Sequence, residues 1–161
     1  NMLTLSEEVI PVPREEFART VAVGRSPAEA WATLTDVERV ASWVTVVESV
    51  DELARLEQYT AVLATQLGPF RLRADLEVKV TELDDGTSIR FFAEGEDRQV
   101  ASRITVEAGL RLVERDEGTE VVTDGVYEVT GRVATIGASA IRNKADKILN
   151  EFFDAASREL A

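Results

Sequence analysis

The sequence contains no histidine and no cysteine. Without histidine, the side chain that most often moves protons near neutral pH is missing, and a hydrolytic triad fails at its base. Without cysteine there is no disulfide and no thiolate nucleophile. With both absent, zinc loses its preferred ligands and only carboxylates remain, so no metal site is expected. Positive charge is also scarce: 18 Lys and Arg stand against 30 Asp and Glu, a net charge of −12. Nucleic-acid binding neutralises phosphates with Lys and Arg, so nucleic acid is not an expected partner. Such an acidic balance reads as a solvated, soluble surface, or as a face for a basic partner protein. No apolar run approaches the roughly 20 residues of a membrane-spanning helix. The opening "NMLTLSEEVIPVPREE" lacks the basic and apolar regions of a secretory signal. The cytoplasm is therefore the expected compartment. Glycine-rich phosphate loops are missing too, because "VGRS" and "GASA" do not have the required spacing.

What is present is a chain of 161 residues, 45% of them hydrophobic, enough for one domain with a substantial core. Residues 1–14, with Pro11 and Pro13, read as an N-terminal arm, and 15–161 as a single domain. Phe17, Arg19, Val21 and Val23 alternate with Glu16, Ala18, Thr20 and Ala22, the period of a first strand. In "SPAEAWATLTD", Ser26 is placed to cap, Pro27 suits the first helical position and Glu29 completes a capping box. This predicts a helix over 27–34, and a second short one follows from about Asp36 to Ser42.

A long region of period 2 comes next. "VTVVESVDEL" (44–53) leads into a strand in which Tyr59, Ala61, Leu63, Thr65 and Leu67 share a face. After Gly68-Pro69, Leu72, Ala74, Leu76, Val78 and Val80 face one way, with Arg71, Arg73, Asp75, Glu77 and Lys79 opposite. Such alternation belongs to an antiparallel sheet with one wet face. Turns at 84–86 and 116–118 separate the remaining strands. From about Arg132 to Leu160 the period becomes 3.6, with Ala134, Gly137, Ala138, Ile141, Ala145, Ile148, Leu149, Phe152, Ala156 and Leu160 on one stripe. The fold class is thus α+β: an antiparallel sheet of six to seven strands curved around a long C-terminal helix, with two short helices after the first strand.

That order, and the stretches "SPAEAWATLTDVERVASWVTVVESVDEL", "YTAVLATQLGPFRLRADLEV" and "ILNEFFDAASREL", resemble the helix-grip superfamily of START-related, Bet v 1-like and polyketide cyclase-like domains. Within it the chain is most similar to the family of the carbon monoxide dehydrogenase G subunit, over roughly residues 17–160. Family members usually carry a Pro-Gly turn where this chain has "SWVTVVES". The resemblance implies an accessory protein, not the catalytic part of the enzyme. It would assist a molybdenum hydroxylase-type dehydrogenase and have a cavity suited to an apolar molecule such as a quinone or lipid. Some members continue into a membrane-associating tail; this chain stops at Ala161, so membrane association is not expected.

In this architecture the short helices wedge the open end of the sheet, which places Trp31 and Trp43 at the rim, as core or as part of a site. The strand faces turned toward the helix offer Tyr59, Ala61, Leu63, Ala74, Leu76, Phe91 and Tyr127. The helix offers Ala138, Ile141 and Ala145. Small residues on both sides, Ala61 and Ala74 opposite Ala138 and Ala145, leave volume beneath the first half of the helix unless the layers close up. No residue is assigned a catalytic role. The alternative is a cyclase- or dehydratase-like enzyme using a cavity tyrosine, Tyr59 or Tyr127, with an arginine; Arg90 and Arg103 could reach a polar headgroup or stand on a solvated outer face of the sheet. Glu7-Glu8, Glu15-Glu16 and Asp84-Asp85 read as solvated pairs.

Overall fold

The computed structural model describes residues 14–161. The arm, including Glu7-Glu8, lies outside the described residues except for Arg14, which opens the first strand. The elements are β1 (Arg14–Val23), α1 (Pro27–Leu34), α2 (Val37–Ala41), β2 (Val47–Ala54), β3 (Gln58–Leu67), β4 (Phe70–Asp84), β5 (Ser88–Asp97), β6 (Ser102–Arg115) and β7 (Gly118–Gly131). A 3-10 turn (Arg132–Ile136) and α3 (Ala138–Glu159) complete the chain. One seven-stranded antiparallel sheet runs in the order β1-β7-β6-β5-β4-β3-β2.

Strands β2 to β7 form a meander of hairpins, and β1 returns to pair with β7, Arg14 opposite Glu128 and Val23 opposite Thr119. β1 and β2 are therefore opposite edges of the sheet, and α1 and α2 cross between them at one end. α3 approaches both β1 and β3 closely. Those strands are five spacings apart, about 24 Å along the sheet, whereas a helix is only about 10 Å wide. The sheet must therefore curl around the helix. Tight hydrogen bonds fix where the helix ends: the Gly24 N–H donates to the Leu160 carbonyl at 2.8 Å. The Arg25 guanidinium donates to the Ala161 carbonyl at 3.1 Å.

The core is packed as two clusters. Val23, Ala30, Trp31, Leu34, Leu112, Val121 and Leu160 form one beneath α1 and the end of α3. Leu67, Leu72, Ile104, Val129, Val133 and Ile141 form the other beneath the 3-10 turn and the start of α3.

Three boundaries differ from those expected from the sequence, the first being β1, which already begins at Arg14. The C-terminal helix starts at Ala138, not near Arg132. Gly131 and Gly137 adopt φ of 91° and 101°, a left-handed geometry that isolates residues 132–136 as a separate turn. Ala134 and Gly137 thus leave the helical stripe. Similarly, β2 begins at Val47 because residues 43–47 continue the turn of α2: Trp43, Val44 and Val47 each donate to the carbonyl three residues back.

The predicted capping box is formed in full: Ser26 Oγ accepts from Glu29 N at 3.2 Å while the Glu29 carboxylate accepts from the Ser26 backbone N–H at 3.5 Å. Hydrogen bonds from the Ser26 side chain and backbone, and then Arg25, hold the Glu29 carboxyl below its ordinary range. Removing the cap by Ser26→Ala should cost about 1 kcal/mol. In a thermal melt this lowers Tm by roughly 2–4 °C, and an unchanged Tm would remove the cap from the account of α1.

Candidate functional site beneath the helix

The strand registers define the concave face. Tyr59, Ala61, Leu63 and Leu67 of β3 stand opposite Val78, Leu76, Ala74 and Phe70 of β4. Val80 and Val78 stand opposite Phe91 and Ala93 of β5, which in turn face Ala108 and Val106 of β6. Tyr127 of β7 lies between Val106 and Glu15. Over this surface α3 presents Ile141, Ala145, Ile148, Leu149, Phe152 and Phe153.

Burial along this face is uneven. Leu72 is 1% exposed and Val121 and Val133 are fully buried at the two ends. Between those ends, Ala61, Leu76, Val78, Val80, Phe91, Ala145, Ile148 and Leu149 are only half-buried and belong to neither core cluster. The middle of the face, beneath the central turns of α3, is thus packed less fully than its two ends, with the small Ala93 and Ala108 buried there between half-buried neighbours. Two surface clefts lie elsewhere, about 310 Å³ beside the β5–β6 turn and about 540 Å³ on the outer side of β1 and β7. Neither is lined by any of the twelve residues expected to contact a ligand.

The structure brings six of those twelve residues to this belt or its margin: Ala61, Leu63, Leu76, Phe91, Tyr127 and Ala145 are all half-buried. Ala74 and Ile141 are buried in the packed interior, and Ala138 is exposed at the first turn of α3. Trp31 is in the first core cluster, and its indole Nε1 donates to Asp85 Oδ1 at 3.1 Å. Asp85, expected to be a solvated charge, thus ties the β4–β5 hairpin to α1. Trp43 is half-buried with its ring 5.9 Å from Phe152. Phe152 meets Phe153 edge-on at 5.1 Å, and the Arg19 guanidinium covers Phe153 at 5.0 Å. This aromatic row spans α3 and closes the end of the space nearest α1.

The two tyrosines differ. Tyr59 is 3% exposed and its hydroxyl accepts from Leu56 N at 2.8 Å, a structural role. The Tyr127 hydroxyl makes no hydrogen bond among the described residues. Beside it, Arg142 of α3 donates to Glu15 at 2.6 Å. Burial first, then the negative charges of Glu15 and Asp146, push the Tyr127 hydroxyl above its ordinary pKa of 10.0. Of the two readings of Arg90 and Arg103, the structure bears out the outer face of the sheet. Arg90 is bound to Glu107 and Asp124 and Arg103 to Glu94, all on the convex face. No group of three or more acidic residues among the described ones is arranged to hold a metal ion. None of the described helices is long and apolar enough to cross a membrane.

Val78, Val80, Ile148 and Leu149 of the belt are not among the residues the sequence singles out for the site, and neither is Phe17 beside it on β1. For the valines the signal was there, since they share the alternating face of Leu76. Phe17 needed the pairing with Gly125: a Cβ at Gly125 would meet the Phe17 ring at 2.6 Å, so the glycine makes room for the ring.

Two outcomes follow from the uneven burial and from Tyr127. Leu72→Ala should cost about 2–5 kcal/mol in chemical denaturation, whereas Leu76→Ala on the same face should cost less than half as much. Equal losses would mean that the middle is packed as tightly as the ends. In alkaline titration at 295 nm, the ionisation missing from Tyr127→Phe should lie above pH 10.0. The unfolded chain ionises this group first, so Tyr127 makes stability fall as pH rises past 10, and the variant should fall less.

A family model for the G subunit of carbon monoxide dehydrogenase (CoxG) matches residues 20–161. No curated protein matches the sequence. Among solved structures, a conserved protein from Geobacillus kaustophilus superposes with a TM-score of 0.78 at 18% identity, covering 91% of this chain and 95% of its own. A START superfamily protein from Mycobacterium smegmatis gives 0.60 at 11% identity, covering 91% and 99%. A Thalictrum norcoclaurine synthase point mutant, solved with a transition-state analogue, gives 0.61 at 12% identity, covering 94% and 96%. At these identities the likeness establishes the helix-grip fold shared by START and Bet v 1-like domains. With the family match spanning all but the first strand's beginning and the residues before it, the chain belongs to the carbon monoxide dehydrogenase CoxG family.

Proposed function

We propose that the protein is a non-enzymatic, cytoplasmic carrier or accessory factor that holds an apolar molecule, a quinone or lipid, between sheet and helix. Its partner in this reading is a molybdenum-containing dehydrogenase of the carbon monoxide type. The observation that carries the proposal is the half-buried apolar belt at Leu76, Val78, Val80 and Phe91, bounded by two packed ends. Family membership supports the accessory role, and the missing histidine and cysteine support binding over catalysis.

Magnitudes restrict the ligand. Each buried methylene-sized group contributes about 0.8 kcal/mol. Ten such groups give about 8 kcal/mol, against an association cost of at least about 4 kcal/mol. A bare ring binds feebly, so useful affinity needs a prenyl or acyl tail.

Titration with a long-chain menaquinone in detergent should quench tryptophan fluorescence saturably, and a tailless analogue should bind at least about tenfold more weakly. Trp43→Phe should remove most of the quenching, because Trp43 stands at the margin of the space and Trp31 is held in the core. Organic extracts of protein from its native cells should contain an apolar molecule. Empty extracts together with unchanged fluorescence would end the carrier reading.

A further inference from the structure

Among the described residues, two large hydrophobic side chains are exposed: Leu53 at 58% and Leu83 at 46%. Both lie at the same end of the sheet, on the β2–β3 and β4–β5 hairpins. Gln58 stands opposite Lys79, and the Val80 N–H donates to the Glu57 carbonyl at 2.9 Å, which joins the two hairpins. From strand spacing and rise, the leucines are roughly 15 Å apart, within the span of one small interface.

The charge around them is acidic and unpaired. Several acids elsewhere on the sheet are matched by arginines, Glu48 by Arg73, Glu94 by Arg103, Glu107 and Asp124 by Arg90, Glu120 by Arg115 and Glu128 by Arg14, while Glu16, Asp75, Glu77 and Glu114 are not. At this end Asp51, Glu52 and Glu57 flank Leu53, and Glu82 and Asp84 flank Leu83, and none of the five forms an ion pair among the described residues. Arg55 in the β2–β3 turn and Lys79, opposite Gln58, also form no ion pair among the described residues. The surface therefore offers apolar points inside an acidic frame.

We propose that the end of the sheet formed by the β2–β3 and β4–β5 hairpins docks a partner protein whose contact surface carries apolar side chains ringed by lysine and arginine. Charge selects this occupant. A second copy of a chain with net charge −12 would bring like charges together, and an anionic membrane would be repelled. Strand addition is also disfavoured, because edge strand β2 has register irregularities at Val47/Ser49 and Glu52/Ala54 that interrupt a pairing edge. Contact is therefore through side chains. The hairpin presents them in a fixed shape: Leu56 is held at φ 56° by the buried Tyr59 hydroxyl accepting its N–H. This inference does not depend on ligand binding.

The test replaces Leu53 or Leu83 with the photo-crosslinker p-benzoylphenylalanine in the full chain, in its native cells, with Arg71 and Ser157 as control positions. Both leucine positions should capture the same protein, about tenfold above the controls, through segments that peptide mapping shows to be rich in Lys and Arg. Glu57→Lys with Glu82→Lys should abolish capture while leaving circular dichroism and Tm unchanged. Yields no higher than at the controls would overturn the proposal. So would capture of a second copy, of lipid or of an acidic segment, or capture that survives the charge reversal.

Discussion

One helix about 10 Å wide has to cover the concave face of seven strands, and the rest of the molecule follows from that mismatch. A flat sheet would leave most of its apolar face in water, so the sheet curls until α3 reaches both β1 and β3. Curling brings the edges in but does not supply atoms for the centre. The chain adds material only at the ends, with α1 and its tryptophan at one and the 3-10 turn with Val133 and Ile136 at the other. The half-buried belt is what remains between them.

Polar contacts hold the helix over the sheet along its length, from its first turns through its middle to its end. Arg142 meets Glu15, Arg19 meets Asn150, the Thr45 N–H and hydroxyl both donate to Glu151, and Arg39 meets Glu159. These bonds lie at the solvent-exposed surface, with Glu15, Arg19, Glu151 and Glu159 half-buried, so each adds little stability. Their effect is positional: they set the depth of α3 over the sheet. Depth, in turn, decides whether Leu76 and Phe91 touch the helix or solvent.

Much of the fold was legible in the sequence because local signals agreed with tertiary ones. Ser26, Pro27 and Glu29 fixed α1 to the residue, and strict alternation from Leu72 to Val80 gave both the strand and its inner face. Where local and tertiary preferences competed, the expectation slipped. The β-branched run Val44-Thr45-Val46-Val47 looks like a strand, yet three-residue turns from α2 and the grip of Glu151 on Thr45 keep its first residues out of the sheet. The site was legible only in part. Alternation tells which side of a strand faces inward, and it selected Ala61, Leu76 and Phe91 correctly for that. It does not tell how deeply the helix sits, which is why Ala74 and Ile141 are packed while Ile148 and Leu149 border the space. The separation of Tyr127 from Arg90 and Arg103 was likewise a matter of parity across three strands, fixed by the registers of β5, β6 and β7.

The position of β1 in the sheet has a consequence for how the molecule assembles. β2 to β7 pair with sequence neighbours, so each hairpin closes soon after its second strand leaves the ribosome. β1 has no such partner: Arg14 and Glu128, which meet as an ion pair, are 114 residues apart. The first strand to be synthesised is therefore the last to find its place. Until β7 emerges, its alternating apolar side, Phe17, Val21 and Val23, has no sheet to join. Closing a loop of that length is slow compared with closing a hairpin. β1 thus stays unpaired from its own synthesis until that of β7, six strands later.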